Sequence, residues 1–193
     1  MIKKILLAML LFAPMAMMAQ KVAHFDYPKV MQSLAEFQTA QTSLEELGQR
    51  YSNELKTLQD EITRKTESYR QQADSLPENM RARKEQELND MYQRYQQASQ
   101  DNEAAFQKAR AEKMQPLVEK IVNAVNAIAK EDGYTYVIDL SSAQPSGIFI
   151  NTSVSTDITD KVMNRVGGTA ANAAAAAAKA NAAANAANSA TNP

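Results

Sequence analysis

The sequence predicts an α+β protein: a small β-rich body carrying a long antiparallel helical hairpin, a coiled-coil arm. Three observations predict it. Apolar or small residues recur at Leu44, Leu47, Tyr51, Leu55, Leu58, Ile62, Tyr69, Ala73 and Leu76, and again at Leu88, Met91, Tyr95, Ala98, Ala105, Ala109, Leu117, Ile121, Val125 and Ile128. Steps of three and four place each set on one narrow stripe of a helix, the pattern of a seam between two helices. Between the two runs lies Asp74-Ser75-Leu76-Pro77-Glu78-Asn79, a connection short enough to fold the helices back on each other. Finally, short β-branched and aromatic runs stand outside the arm, at either end.

Residues 1–19 read as a cleaved secretory signal peptide. Lys3 and Lys4 precede an apolar block, Ile5–Phe12, and small residues follow; the block is too short to span a bilayer. Cleavage after Ala19 leaves Gln20 first, and no cysteine follows to take a lipid. The expectation is an exported, soluble protein. Cysteine is absent throughout, which excludes disulfides, thiolate metal sites and thiol catalysis. Removing Lys3 and Lys4 takes the formal charge from −1 to about −3, so nothing favours nucleic-acid binding.

Residues 20–32 and 117–166 form the body in this reading, and 33–116 the arm. Lys21–Asp26 is a strand candidate, and Pro28 opens a helix continuing through Val30, Met31, Leu34 and Phe37. At 1.5 Å per residue, an outgoing helix of roughly 44 residues reaches roughly 65 Å. Ser75 with Glu78 three residues on fits a capping box for the return helix, whose first turn tolerates Pro77. Gly48 and Pro116 interrupt the two helices in the half nearer the body, where the arm is expected to flex. Glu131-Asp132-Gly133 ends the return helix. Tyr134–Leu140 is the clearest strand, Ile148–Asn151 a third, and 157–166 a last helix showing Ile158, Val162 and Val166 on one face. Residues 167–193 are almost entirely Ala and Asn, with no large apolar side chain to dock, and read as a disordered tail, a fluctuating helix being the alternative.

Three short strands cannot close a barrel, and a body of this size needs a staple or a partner. Without cysteine or a metal cluster, oligomerisation remains. Val22, Phe25, Tyr136, Ile138, Ile148 and Ile150 are the strand residues assigned to it, completing a sheet around an axis with the arms on one side.

Enzymatic chemistry finds no inventory. The single histidine, His24, lies in a strand, the five glycines form no phosphate-cradling loop, and no His/Asp/Glu cluster has metal-ligand spacing. No cofactor is expected. Binding remains. Leu76, Met80, Tyr92 and Phe106 lie off the stripe or near the tip, and such side chains make adaptable, unselective contacts. Arg81, Arg83 and Lys84 add local positive charge.

The order of elements resembles the Skp/OmpH family of periplasmic chaperones: a signal peptide, VAHFDY, a long hairpin, YTYVIDL, GIFIN and DITDKVMNRV, over about Val22–Val166. Asp132-Gly133-Tyr134 through Asp139, and Asp157-Ile158-Thr159, carry the resemblance most specifically. It implies a homotrimer whose three arms enclose a cavity, holding unfolded outer-membrane proteins after export without ATP. One departure stands out. Well-known members have strongly basic arms, whereas Glu45–Lys113 here holds 12 basic and 14 acidic residues. Long-range steering is therefore weak, and local basic groups leave only transient contact with an anionic membrane surface. A structural spacer or adaptor, its hairpin docking end-on to one fixed partner, is the alternative function. Ser75-Leu76-Pro77-Glu78 gives no specific tip motif for it.

Overall fold

The computed structural model describes residues 20–190; the expected signal peptide lies outside them. The chain runs through β1 (Val22–Phe25), α1 (Tyr27–Ser33), α2 (Ala35–Gln72), a 3₁₀ turn (Ala73–Ser75), α3 (Glu78–Asp132), β2 (Tyr136–Asp139) and α4 (Leu140–Ala143). It ends with β3 (Thr156–Asp157), α5 (Thr159–Arg165) and α6 (Ala170–Ala190).

Helices α2, of 38 residues, and α3, of 55, pair as an antiparallel hairpin. Lys120–Glu36, Asn102–Glu54 and Tyr69–Glu85 bond across it, so partners sum to nearly the same number along the arm. At 1.5 Å per residue α2 alone is about 57 Å long. Between Gln41 and Lys113 the buried side chains are Ile62 and Met91. The arm is a thin structure, nearly all surface.

The body is a three-stranded parallel sheet in the order β2-β1-β3, with Val22 opposite Tyr136 and His24 opposite both Ile138 and Asp157. Ala23 and Phe25 turn into a core shared with Val30, Met31 and Leu34, the last turns of α3 (Leu117, Ile121, Ala124, Ile128), and Ile158, Val162, Met163 and Val166. Because α3 supplies a whole face of this core, arm and body share one continuous helix. At its end Gly133, at φ 72°, takes the left-handed conformation that closes a helix.

Several expectations need correction. Ile148–Asn151 is not a strand. Gly147, at φ 71°, turns the chain, and Ile148 N–H bonds back to the Ala143 carbonyl. Among the described residues the apolar run finds no strand partner, and Thr156–Asp157 supplies the third strand instead. The capping box does not form. Ser75 Oγ donates to the Gln72 carbonyl, and Pro77 stands at the N-cap of α3 without a side-chain bond. The helix expected to run from Pro28 into the arm breaks at Leu34, extended at φ −80°, ψ 128°. Burying Leu34 in the core fixes that break. Ala170–Ala190 is helical rather than disordered, and Ala173 and Ala176 are buried. Alanine's helix propensity wins here, and small side chains let the helix dock without a large apolar residue.

Candidate functional site

Around the tip, the two helices are joined by polar links rather than by a filled core. Lys65 pairs with Glu87, and Lys84 reaches the same carboxylate at 3.2 Å. These hydrogen bonds, Lys65 first, hold the Glu87 carboxyl below its usual range. One level further out, the Tyr69 phenol donates to Glu85 at 2.5 Å, which raises its pKa. Leu76 is half-buried in a cleft with Tyr69, Gln72 and Leu88.

The expected client-facing residues separate by position. Met80 and Tyr92 are 39% and 47% exposed. Arg81 and Arg83 are exposed on the first turns of α3, while Lys84 is engaged with Glu87. Phe106 belongs to the seam. It is half-buried and lines a cleft of about 400 Å³ with Gly48, Tyr51 and Leu55. A Cβ at Gly48 would lie 3.6 Å from its ring, so Gly48 accommodates an aromatic neighbour as well as loosening the helix. Pro116 is exposed, and α3 continues through it.

The sheet residues assigned to assembly also divide. Phe25 lies in the core of a single chain, edge-on to Tyr27 with ring centroids 6.5 Å apart. Tyr136, at 56% exposed, and Ile148 are open to solvent. Val22, Ile138 and Ile150 line a shallow cleft of about 490 Å³ with Phe149 and Val154. The last two are 88% and 81% exposed, the most exposed large apolar side chains of the described residues. Sequence reasoning missed Phe149 and Val154, and also Val118 and Val122, exposed on α3 near the body. Phe149 had a readable signal, an aromatic in a run flanked by Gly147 and Asn151. Val154, alone among Ser and Thr, had none.

His24 is structural. It is buried, with Nδ1 2.7 Å from Ser155 Oγ. The Ser155 hydroxyl donates its one proton to the Asn151 carbonyl, so Nδ1 is the donor of the pair. This bond ties the loop bearing Phe149 and Val154 to the central strand. Beside it, burial pushes the Asp157 carboxyl up. Two hydrogen bonds from Thr159 and the charges of His24 and Lys29 outweigh burial and hold it below its ordinary range. Among the described residues no His, Asp or Glu group could hold a metal ion, and no helix is long and apolar enough to cross a membrane.

Residues 21–166 match the family model described as outer membrane protein (OmpH-like). The chain belongs to the OmpH-like family. It is 26% identical over 140 residues to the chaperone protein Skp of Vibrio cholerae serotype O1, covering 72% of this chain and 83% of that one. Its fold is similar to that of a Caulobacter crescentus protein described as an OmpH-like outer membrane chaperone. The TM-score is 0.57 at 15% identity, over 76% of this chain and 83% of the other. These OmpH-like relatives are named as chaperones, not as enzymes. The family match stops at Val166, so α6 lies beyond it.

Proposed function

We propose that this chain is an ATP-independent holdase of the periplasm, which binds unfolded outer-membrane proteins between its arms and prevents their aggregation. The observation that carries this reading is the arm itself. It is a two-helix projection with two buried side chains over most of its length, presenting Met80 and Tyr92 to solvent. A surface of scattered apolar and thioether groups holds an extended chain through many weak contacts, and several arms around one space multiply them by raising effective concentration. The assembly is a homotrimer, formed where Tyr136 of β2 and Ile148, Phe149 and Val154 of the loop before β3 are exposed. Phe149 and Val154 line one cleft with Val22, Ile138 and Ile150, apolar surface of the kind that a partner covers. With near-balanced charge along the arm, apolar contact does more of the holding than long-range attraction, and contact with anionic membrane is transient.

The test is aggregation of a urea-unfolded outer-membrane barrel diluted into buffer without nucleotide. Suppression at near-stoichiometric ratio is expected. Normal aggregation in the presence of the intact assembly contradicts the proposal.

A further inference from the structure

The arm has two backbone weak points, and they lie at nearly the same level. On one helix, the break at Leu34 sends the Phe37 N–H to the Leu34 carbonyl instead of to Ser33. The Ser33 carbonyl, buried with its residue, is thereby left without its helical partner. On the other helix Pro116 has no N–H to give. The Lys120–Glu36 pair, and the Phe106 ring against Gly48, set the register so that Pro116 stands opposite Thr39 and Ala40. That is within about two helical turns of Leu34.

Helix α6 runs past both points. Thr169 N–H donates to the orphaned Ser33 carbonyl at 3.1 Å, and Asn172 Nδ2 donates to the same oxygen at 3.1 Å. Gly168 approaches so closely that a Cβ there would lie 2.0 Å from Ser33 Oγ. Ala173 and Ala176 continue the buried face, and Lys179 Nζ lies 3.2 Å from the Glu45 carboxylate. Over these eleven residues α6 travels from the end of α1, below the break, to Glu45 on α2, above the level of Pro116. The contact is shallow: two hydrogen bonds to one carbonyl, the close approach of Gly168, a few methyl groups and one exposed ion pair. An Ala-rich helix keeps much of its structure when released, so docking and release need no refolding of the body.

We infer that α6 is a splint across the root of the arm. Docked, it fixes the angle between arm and body. Released, it lets the arm swing about Leu34 and Pro116, and the charged pair at its far end makes release easier at high ionic strength. The inference concerns arm motion and holds whatever the arm binds.

The mature chain, which lacks cysteine, takes spin labels at Asn164→Cys in the body and Gln100→Cys in the arm, both exposed. Labelled chains are diluted with unlabelled ones, so that distances within one chain are read by electron-electron double resonance. The pair Ala173→Glu and Ala176→Glu places carboxylates on the docked face. The pair Ala174→Glu and Ala178→Glu places the same groups on the exposed face of the same helix. The docked-face pair, and truncation after Gly168, are each expected to widen the distance distribution by about twofold, an ensemble broadening, while the exposed-face pair keeps it narrow. Amide exchange in α6 is expected to quicken with the docked-face pair more than with the exposed-face pair. The splint is overturned if truncation leaves the distribution unchanged, if both carboxylate pairs widen it equally, or if α6 amides exchange equally fast in the two.

Discussion

Replacing Ile62 by alanine should open the outer arm without unfolding the body. Ile62 is 1% exposed, and in the long stretch between Gln41 and Lys113 it shares the buried interior with Met91 alone. The substitution removes three carbons, worth about 0.8 kcal/mol each in transfer. The cavity left behind raises the total to about 2–4 kcal/mol. In the body such a loss would be shared across a core of many side chains. Here it falls on a hairpin whose remaining cross-links are surface pairs such as Lys65–Glu87 and Asn102–Glu54, worth about 0–1 kcal/mol each. The arm beyond residue 62 should therefore open as a local unit. Native-state amide exchange resolves it by segment. Protection of residues 63–90 should fall by about 100-fold, since about 1.4 kcal/mol is a factor of ten. Protection of β1 and of the Ile121–Ile128 segment should change by less than about threefold. Equal loss in arm and body would refute the reasoning, because it would mean that the hairpin has no stability of its own to lose.

Gly133→Ala forces a side chain into the left-handed conformation at φ 72° in otherwise open space, and should lower stability by about 1–2 kcal/mol, read from the urea midpoint. Gly168→Ala should be more disruptive still, because its Cβ would meet Ser33 Oγ at 2.0 Å and Ser33 Cβ at 2.9 Å. The Asp157 carboxyl is held below its ordinary value of 3.8. Its contribution to stability is therefore complete above that value and is lost as pH falls through the lower, folded-state pKa. Asp157→Asn should flatten the acid limb of a stability–pH profile, and an unchanged limb would exclude this group. Met80→Gln with Tyr92→Gln should weaken suppression of barrel-protein aggregation by about threefold or more, and shift the urea midpoint by no more than about 0.5 kcal/mol in stability. Equal suppression would remove the two from the client surface.

Legibility in the sequence followed periodicity. The two long helices were readable because stripes such as Leu55, Leu58 and Ile62 repeat for many turns, and Gly133 ends the second with a residue whose backbone preferences leave little choice. The strand at Tyr136–Asp139 was readable for a similar reason, as a β-branched and aromatic run bounded by turns. The misses share a different cause. Ile148-Phe149-Ile150 has strand composition, but a strand needs a neighbour, and the sheet position beside β1 went to Thr156–Asp157, two residues with almost no signal. The break at Leu34 is set by the pocket that Leu34 fills, not by a local breaker residue. Helix α6 was hidden because its docking uses Gly168, backbone groups and methyls, none of which stands out in a polyalanine tract. Of the residues expected to face a client, Met80 and Tyr92 are exposed. Phe106 went to the seam, because the partner that receives it, Gly48, is 58 residues away.

The central claim is that the arm stands on a body which is completed only by further copies of itself. Light scattering coupled to size exclusion on the mature protein, at micromolar concentration, measures this directly. A mass of about three chains, falling toward one when Phe149 and Val154 are both replaced by aspartate, is what the proposed trimer predicts. A single-chain mass that does not change with concentration would contradict the account.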